Sequence, residues 1–221
     1  MRTFLIAMCV TVTIAGAAVA ADFHPIASVT SSTADTDLWP ASNLIQGPGV
    51  GIDAAAPHDK LLGAADGNWV TDACGFPCDY IETTGAPSLT FDLGADTDLS
   101  EISVWGYTTT NSNGVKDFNL TFGTDAGGMA GIGSSITYNP SFSMELEDIA
   151  RQSFSFDSVM ARYVTLTATD NYFSPPGDGS AGELAGGDRV GLGEVAFAVV
   201  PEPSSLSLLV IGMLPFLRRR S

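Results

Sequence analysis

Positive charge is nearly missing from this chain. Nine Lys and Arg face 25 Asp and Glu, and four of the nine stand at the extremes as Arg2 and Arg218 to Arg220. Residues 21–200 keep only Lys60, Lys116, Arg151, Arg162 and Arg189. Five basic against 24 acidic residues give that stretch a net charge of −19. Such a surface repels nucleic acid and anionic membrane. It suits a calcium-rich exterior or a neutral partner such as a polysaccharide; solubility alone is the plainer reading. Histidine is equally scarce. His24 and His58 are the only two, and neither lies near a G-x-S-x-G or H-E-x-x-H pattern. Hydrolysis needs an organised nucleophile and base, a carboxylate pair or an open metal site, and no such set is legible. The expectation is a protein that is not an enzyme. Most acidic residues fall in turn-like stretches, including the repeated Ala-Asp-Thr-Asp-Leu at 34–38 and 95–99.

Cysteine is sparse too. Cys9 sits in the first twenty residues, leaving Cys74 and Cys78. A lone C-x3-C is too thin for zinc, which takes about four ligands. In an oxidising compartment the pair could close a small loop across Gly75, Phe76 and Pro77; two free thiols are the alternative. Charged residues are only 15% and hydrophobic ones 45%, too apolar a balance for disorder.

The two ends read as addresses. Residues 1–20 run from a basic start through an apolar stretch, Phe4 to Ile14, to Ala18-Val19-Ala20. That order is a secretory signal peptide, and its apolar run is too short to span a bilayer. Met8 precedes Cys9 where a lipoprotein anchor needs a small residue. Residues 200–221 run through Pro201-Glu202-Pro203, an apolar stretch from Leu206 to Leu217, and Arg218-Arg219-Arg220. This ordered combination resembles the PEP-CTERM sorting tail of exported bacterial proteins. The resemblance implies recognition by an exosortase-type membrane enzyme, cleavage near the Pro-Glu-Pro, and release or attachment at the cell surface. About twelve apolar residues rise roughly 18 Å against a core of about 30 Å, so a transmembrane helix here is transient. Pro215 weakens it further. The triple Arg stays on the cytoplasmic side. An ordinary permanent anchor is the alternative.

Residues 21–199 have no convincing helix except a hint at Met144 to Ala150. Apolar residues instead alternate as in half-buried strands. Leu89, Phe91 and Leu93 share a face; so do Ile102 and Val104; Phe118, Leu120 and Phe122; Phe154 and Phe156; Val164, Leu166 and Ala168; and Val195, Phe197 and Val199. Ile26 to Ser31 and Ser135 to Tyr138 are weaker candidates, and Asn113-Gly114 is a turn signal. The expectation is all-β: an eight-stranded jelly-roll β-sandwich with Gly/Pro-rich loops. An immunoglobulin-like sandwich has the same spacing.

The segments go further in order: Ala41 to Gly47, Trp69-Val70-Thr71, Leu89 to Gly94, Leu99 to Trp105, Ala161 to Leu166 and Gly193 to Phe197. Together they resemble a coagulation factor 5/8 type C (discoidin) domain, one of the galactose-binding-like jelly rolls. The resemblance implies carbohydrate or lipid head-group binding through loops at one end. It also implies a structural Ca2+ in many members, here involving Glu194 with oxygens near Asn43 and Gln46. Gln46 stands where the family motif usually has Asp, which weakens that carry-over. Glu194 as a solvated strand residue is the alternative. Trp69 and Trp105 match positions that pack inside.

A sugar site sets an aromatic face beside amide, carboxylate or guanidinium groups. Three loops supply such residues: Leu38 to Tyr80, Tyr107 to Gly114 and Asp170 to Arg189. The candidate ligand set is His58, Asn111, Tyr172 and Arg189. Tyr172 and Phe173 either reach solvent or plug the end of the barrel, and Arg189 either meets ligand or pairs with Asp188. The expected function is a surface-sorted, non-catalytic binding module for extracellular polysaccharide. A structural or adhesive exopolysaccharide-matrix protein without a specific ligand is the alternative.

Overall fold

A computed structural model describes residues 23–33, 38–45, 67–107, 109, 111–146 and 151–200. The expected signal peptide, the Pro-Glu-Pro segment, the basic end, His58 and Gln46 lie outside them. Among the described residues no helix is long and apolar enough to cross a membrane.

Among the described residues nine strands carry the fold: β1 (Phe23–His24), β2 (Ser28–Ser31), β3 (Trp69–Val70), β4 (Ser88–Trp105), β5 (Val115–Gly123), β6 (Ser141–Ser143), β7 (Arg151–Asn171), β8 (Gly191–Leu192) and β9 (Glu194–Val199). One α-helix, α1 (Tyr80–Thr84), and two 3-10 turns complete the described elements. β1, β9, β4, β7, β5 and β6 pair antiparallel in that order, and β2 joins at β4. β3 and β8 form a separate ribbon.

The two longest strands make this one hydrogen-bonded surface into a sandwich. β9 pairs with the end of β4, placing Phe197 opposite Ile102, while β2 pairs with its beginning, placing Val29 opposite Phe91. Phe91 and Ile102 are eleven residues apart, about 36 Å along a straight strand. Yet the Phe91 and Phe197 rings meet edge to face with centroids 5.5 Å apart. β4 must therefore fold over. Its register breaks between Asp92 and Thr97 and again between Leu99 and Glu101 mark the corner. β7 turns the same corner, pairing first with the end of β4 and then with its beginning and with β5.

The alternation explains what fills the space between layers. Leu89, Phe91, Ile102, Val104, Phe118, Leu120, Phe122, Val164, Leu166, Val195 and Phe197 all join one buried core. Trp69 and Trp105 are fully buried. Phe154 and Phe156 are only half-buried. They meet Phe142, Phe118 and Phe122 in an aromatic cluster with centroids 5.3–6.5 Å apart. At the corner end Arg162 forks onto Asp92 at 2.8 and 3.0 Å and reaches Asp125 at 2.5 Å. The fork holds the Asp92 carboxyl below its usual range, assisted by the Gly94 N–H.

Several expectations change in detail. Four separate predicted strands are fused in pairs into β4 and β7, because the chain bends at bulges instead of stopping at turns. Ser135 to Tyr138 is not a strand; Tyr138 stacks on Phe122 from a loop, at 6.1 Å, and β6 lies three residues later. Residues 144–146 are not helical, and 147–150 lie outside the described residues. Asn113-Gly114 does turn the chain, but β4 and β5 do not pair across it.

Candidate functional site

The end of β4, the start of β5, the end of β7 and the start of β9 all lie at the end opposite the corner. The connections 106–114 and 172–190 therefore meet there, and hydrogen bonds lace them together. Tyr172 N–H donates to Ser112 O at 3.1 Å, Ser112 N–H to Ala185 O at 3.1 Å, and Gly191 N–H to Asn113 O at 2.8 Å. The buried Asn113 Oδ1 accepts the Gly187 N–H at 2.6 Å. Asn171 Nδ2 donates to Gly187 O at 3.2 Å, and its Oδ1 accepts the Phe173 N–H at 3.0 Å. Gly187, at φ +86°, is required twice over: a Cβ there would lie 2.3 Å from the Phe173 ring.

The 71–80 segment is tied to the same rim. Thr71 N–H donates to Val190 O at 2.9 Å, Cys74 N–H to Asp188 O at 3.0 Å and Tyr80 N–H to Gly187 O at 2.8 Å. Cys74 and Cys78 are bonded, Cα to Cα 6.4 Å, and the loop they close carries Phe76 at 59% exposure. Asp79 caps α1, its Oδ1 accepting the Glu82 N–H at 3.1 Å.

The candidate ligand residues divide. His58 lies outside the described residues. Asn111 and Tyr172 line one cleft with Tyr107, Gly114, Met144 and Glu145. Its volume is about 10 Å³, room for roughly one water. Tyr172 is half-buried, and its hydroxyl donates to Met144 O at 2.7 Å. Burial, then the charges of Glu145 and Asp117, push its phenol up to about 12. Phe173 packs against Gly177 and Gly187 and is half-buried. Arg189 does not line that cleft. Its guanidinium lies 5.1 Å from the Trp39 ring centroid, and its Nη1 donates to Thr71 O at 3.1 Å. No ion pair joins it to Asp188 among the described residues.

Of the candidate calcium ligands, Gln46 lies outside the described residues. Asn43 Nδ2 donates to Asn68 O at 2.7 Å. Glu194 opens β9 opposite Trp105 and is fully buried, so it is not a solvated strand residue. Among the described residues no three His, Cys, Asp or Glu gather to hold a metal.

Sequence reasoning missed a larger depression. Ser32, Thr33, Asp72, Tyr80, Thr84 and Pro87 border a groove of about 290 Å³. No motif links them, because β2, the 71–80 segment and α1 come together only in space.

The sequence matches no protein-family profile and no curated protein. Solved structures do resemble it. The Clostridium perfringens domain CpGH89CBM32-5, solved in complex with GalNAc-β-1,3-galactose, is 13% identical, covering 80% of this chain and 100% of that one at a TM-score of 0.50. A Streptococcus pneumoniae fucose binding module is 11% identical over 81% of this chain and 96% of that one, also at 0.50. A truncated AlyQ with CBM32 and alginate lyase domains covers 83% of this chain at 18% identity and a TM-score of 0.49, but this chain spans only 34% of it. At such identities the likeness concerns the fold alone: the chain has the β jelly-roll fold of these structures, with its laced loops at one rim.

Proposed function

We propose that this chain is an exported, surface-sorted, non-catalytic module that binds extracellular polysaccharide at the laced rim. The observation that carries the proposal is the fixed juxtaposition of Arg189 and Trp39 at the end where the three loops converge. The guanidinium over one face of the indole sets cationic donors next to an aromatic ring, the two kinds of group that sugar recognition combines. Asn111 adds an amide at the neighbouring cleft. The disulfide and the backbone lacing hold these groups in place before a ligand arrives, which lowers the entropic cost of binding. Support also comes from the solved structures of like fold, two of which are a complex with a disaccharide and a fucose binding module.

Export and sorting rest on the order of features in residues 1–20 and 200–221, and exosortase-type processing on Pro201-Glu202-Pro203 and the closing arginines. A structural calcium belongs to the same proposal. It rests on the resemblance, which puts Glu194 at the late acidic ligand position, and on the burial of Glu194 at the start of β9. Calcium at Glu194, Asn43 and Gln46 would brace the start of β9.

Affinity electrophoresis of the full chain through gels containing neutral and acidic polysaccharides tests the binding. Retardation that weakens in Arg189→Ala is the expected result. Equal migration in every gel, with biofilm altered on deletion, favours a matrix component without a specific ligand.

A further inference from the structure

The geometry points to a second sugar site, distinct from the Arg189–Trp39 corner, in the groove between β2, the Asp72–Ala73 backbone and α1. It would take one neutral hexose residue and discriminate against uronic acids. The inference rests on the reading above only in supposing that the ligands are carbohydrates.

Size comes first. About 290 Å³ lies at the lower edge of small-molecule sites, which hold roughly 300–1,000 Å³. That is room for a single ring and not for a chain of them. The lining matches a hexose. Ser32, Thr33 and Thr84 bring hydroxyls that both donate and accept, and Asp72 brings a carboxylate. Ala86 supplies exposed apolar surface at the mouth, and the buried Pro87 and Tyr80 back it. Tyr80 is only 2% exposed, and its hydroxyl makes no hydrogen bond among the described residues. Among the described residues the Asp72 carboxylate accepts one long bond, from Thr33 Oγ1 at 3.4 Å, which leaves it capacity for vicinal hydroxyls.

The walls are built and not merely adjacent. Trp69 Nε1 donates to Ser31 Oγ at 3.0 Å and Thr33 O at 3.2 Å, pinning the Ser32–Thr33 side from the core. Ser88 N–H donates to Ser32 Oγ at 2.9 Å, joining that side to the start of β4. Thr71 and Cys74 bracket Asp72 and Ala73, and both are bonded to the 188–190 backbone. Gly85, at φ +98°, ends α1, its N–H donating to Ile81 O at 3.0 Å. Three elements therefore hold the groove's shape in advance, as a selective site requires.

Charge sets the selectivity. Asp72 is the one charged residue among the described lining, within a domain of net charge −19. A sugar carboxylate brought beside it meets like charge, which water at the exposed Asp72 screens in part, so a uronic acid should bind several-fold more weakly. A neutral hexoside meets only acceptors and donors.

The test uses the isotope-labelled full chain, titrated with methyl β-galactoside, methyl α-glucoside, methyl α-mannoside and galacturonic acid, and followed by amide shifts. The expected result is saturable movement of the Ala73, Gly85 and Ala86 amides with at least one neutral glycoside, and binding of galacturonic acid weaker by about threefold or more. Ala86→Trp should abolish those shifts with the melting temperature retained. Asp72→Asn should narrow the gap between neutral sugar and uronic acid several-fold, a readout that loss of fold would not give. Shifts confined to Ser112, Gly114 and Gly187 would overturn this inference and leave the rim reading standing. Shifts confined to the groove would do the reverse. Galacturonic acid bound as tightly as the neutral sugars, or no shift with any of the four, would overturn the groove assignment.

Discussion

Replacing Asn113 by alanine should loosen the whole rim, although Asn113 itself is not in the candidate ligand set. The side chain is only 6% exposed. Its Oδ1 is the acceptor for the buried Gly187 N–H at 2.6 Å, and Gly187 in turn supports Asn171 Nδ2 and the Tyr80 N–H through its carbonyl. Alanine leaves that N–H facing a methyl group. A buried donor without a partner costs about 1–3 kcal/mol. For a domain of about 180 residues, roughly 2–4 °C accompany each kcal/mol, so the midpoint of that range is a fall of about 4–8 °C. The control is Asn111→Ala. Among the described residues the Asn111 side chain accepts one bond, from the neighbouring Asn113 N–H at 3.0 Å, in a half-buried turn. Its loss should cost about 1 kcal/mol or less. Thermal melts by circular dichroism give the first number, and hydrogen exchange at the Gly187 amide gives the second. Exchange there should rise in Asn113→Ala and stay unchanged in the control. A melt within a degree of wild type, with Gly187 protection intact, would refute the lacing argument.

Three further outcomes follow from the same geometry. Reducing Cys74–Cys78 opens a loop of five residues, whose closure entropy corresponds to about 2 kcal/mol, so dithiothreitol should lower the melting temperature by roughly 4–8 °C; no change would show that the backbone bonds to Asp188 and Gly187 hold the loop alone. The Asp92 carboxyl is held below its unfolded range by Arg162, so its contribution is present above the unfolded value and fades as pH falls through the lower folded one. Melts from pH 2.5 to 7 should therefore show a loss of stability below about pH 4 that is shallower in Arg162→Gln, and parallel curves would exclude the fork as its cause. Gly193→Ala would set a Cβ 2.5 Å from Gly106 O, a backbone atom that cannot step aside, so the urea midpoint should fall by an amount corresponding to about 1–3 kcal/mol.

The layers of this fold could be read from residue order because each is a physical pattern of period two. Leu89, Phe91 and Leu93 face inward while Thr90 and Asp92 do not, and nothing beyond a pleated backbone is needed to know it. The corner was not readable in the same way. Bulges at 92–97 and 99–101 interrupt the alternation just as a turn would, so two long bent strands look like four short ones. β3 and β8 have two residues each, too few for any period, and α1 is a five-residue helix whose signal is one capping aspartate. Tyr138 misled for the opposite reason: it alternates with Ile136 as in a strand, yet serves by stacking on Phe122 from a loop.

The candidate site shows a sharper limit. Sequence reasoning located the loops, because Gly, Pro and Asn clusters mark where strands end. It could not say which side chains converge, because convergence depends on the hydrogen bonds that tie one loop to another. Asn111 and Tyr172 share a cleft only because Ser112 and Asn113 lace the 106–114 loop to the 172–190 loop. Arg189, in the same loop as Tyr172, is carried to Thr71 and Trp39 instead. The groove at Asp72 depends on contacts spanning β2, the disulfide segment and α1, and no window of sequence contains them. In a jelly roll, then, the strands set where binding chemistry can be, and the Asn and Gly residues that stitch the loops set what that chemistry is. Changing Asn113 or Gly187 should therefore alter ligand selectivity more than a conservative exchange at an exposed loop aromatic such as Phe76.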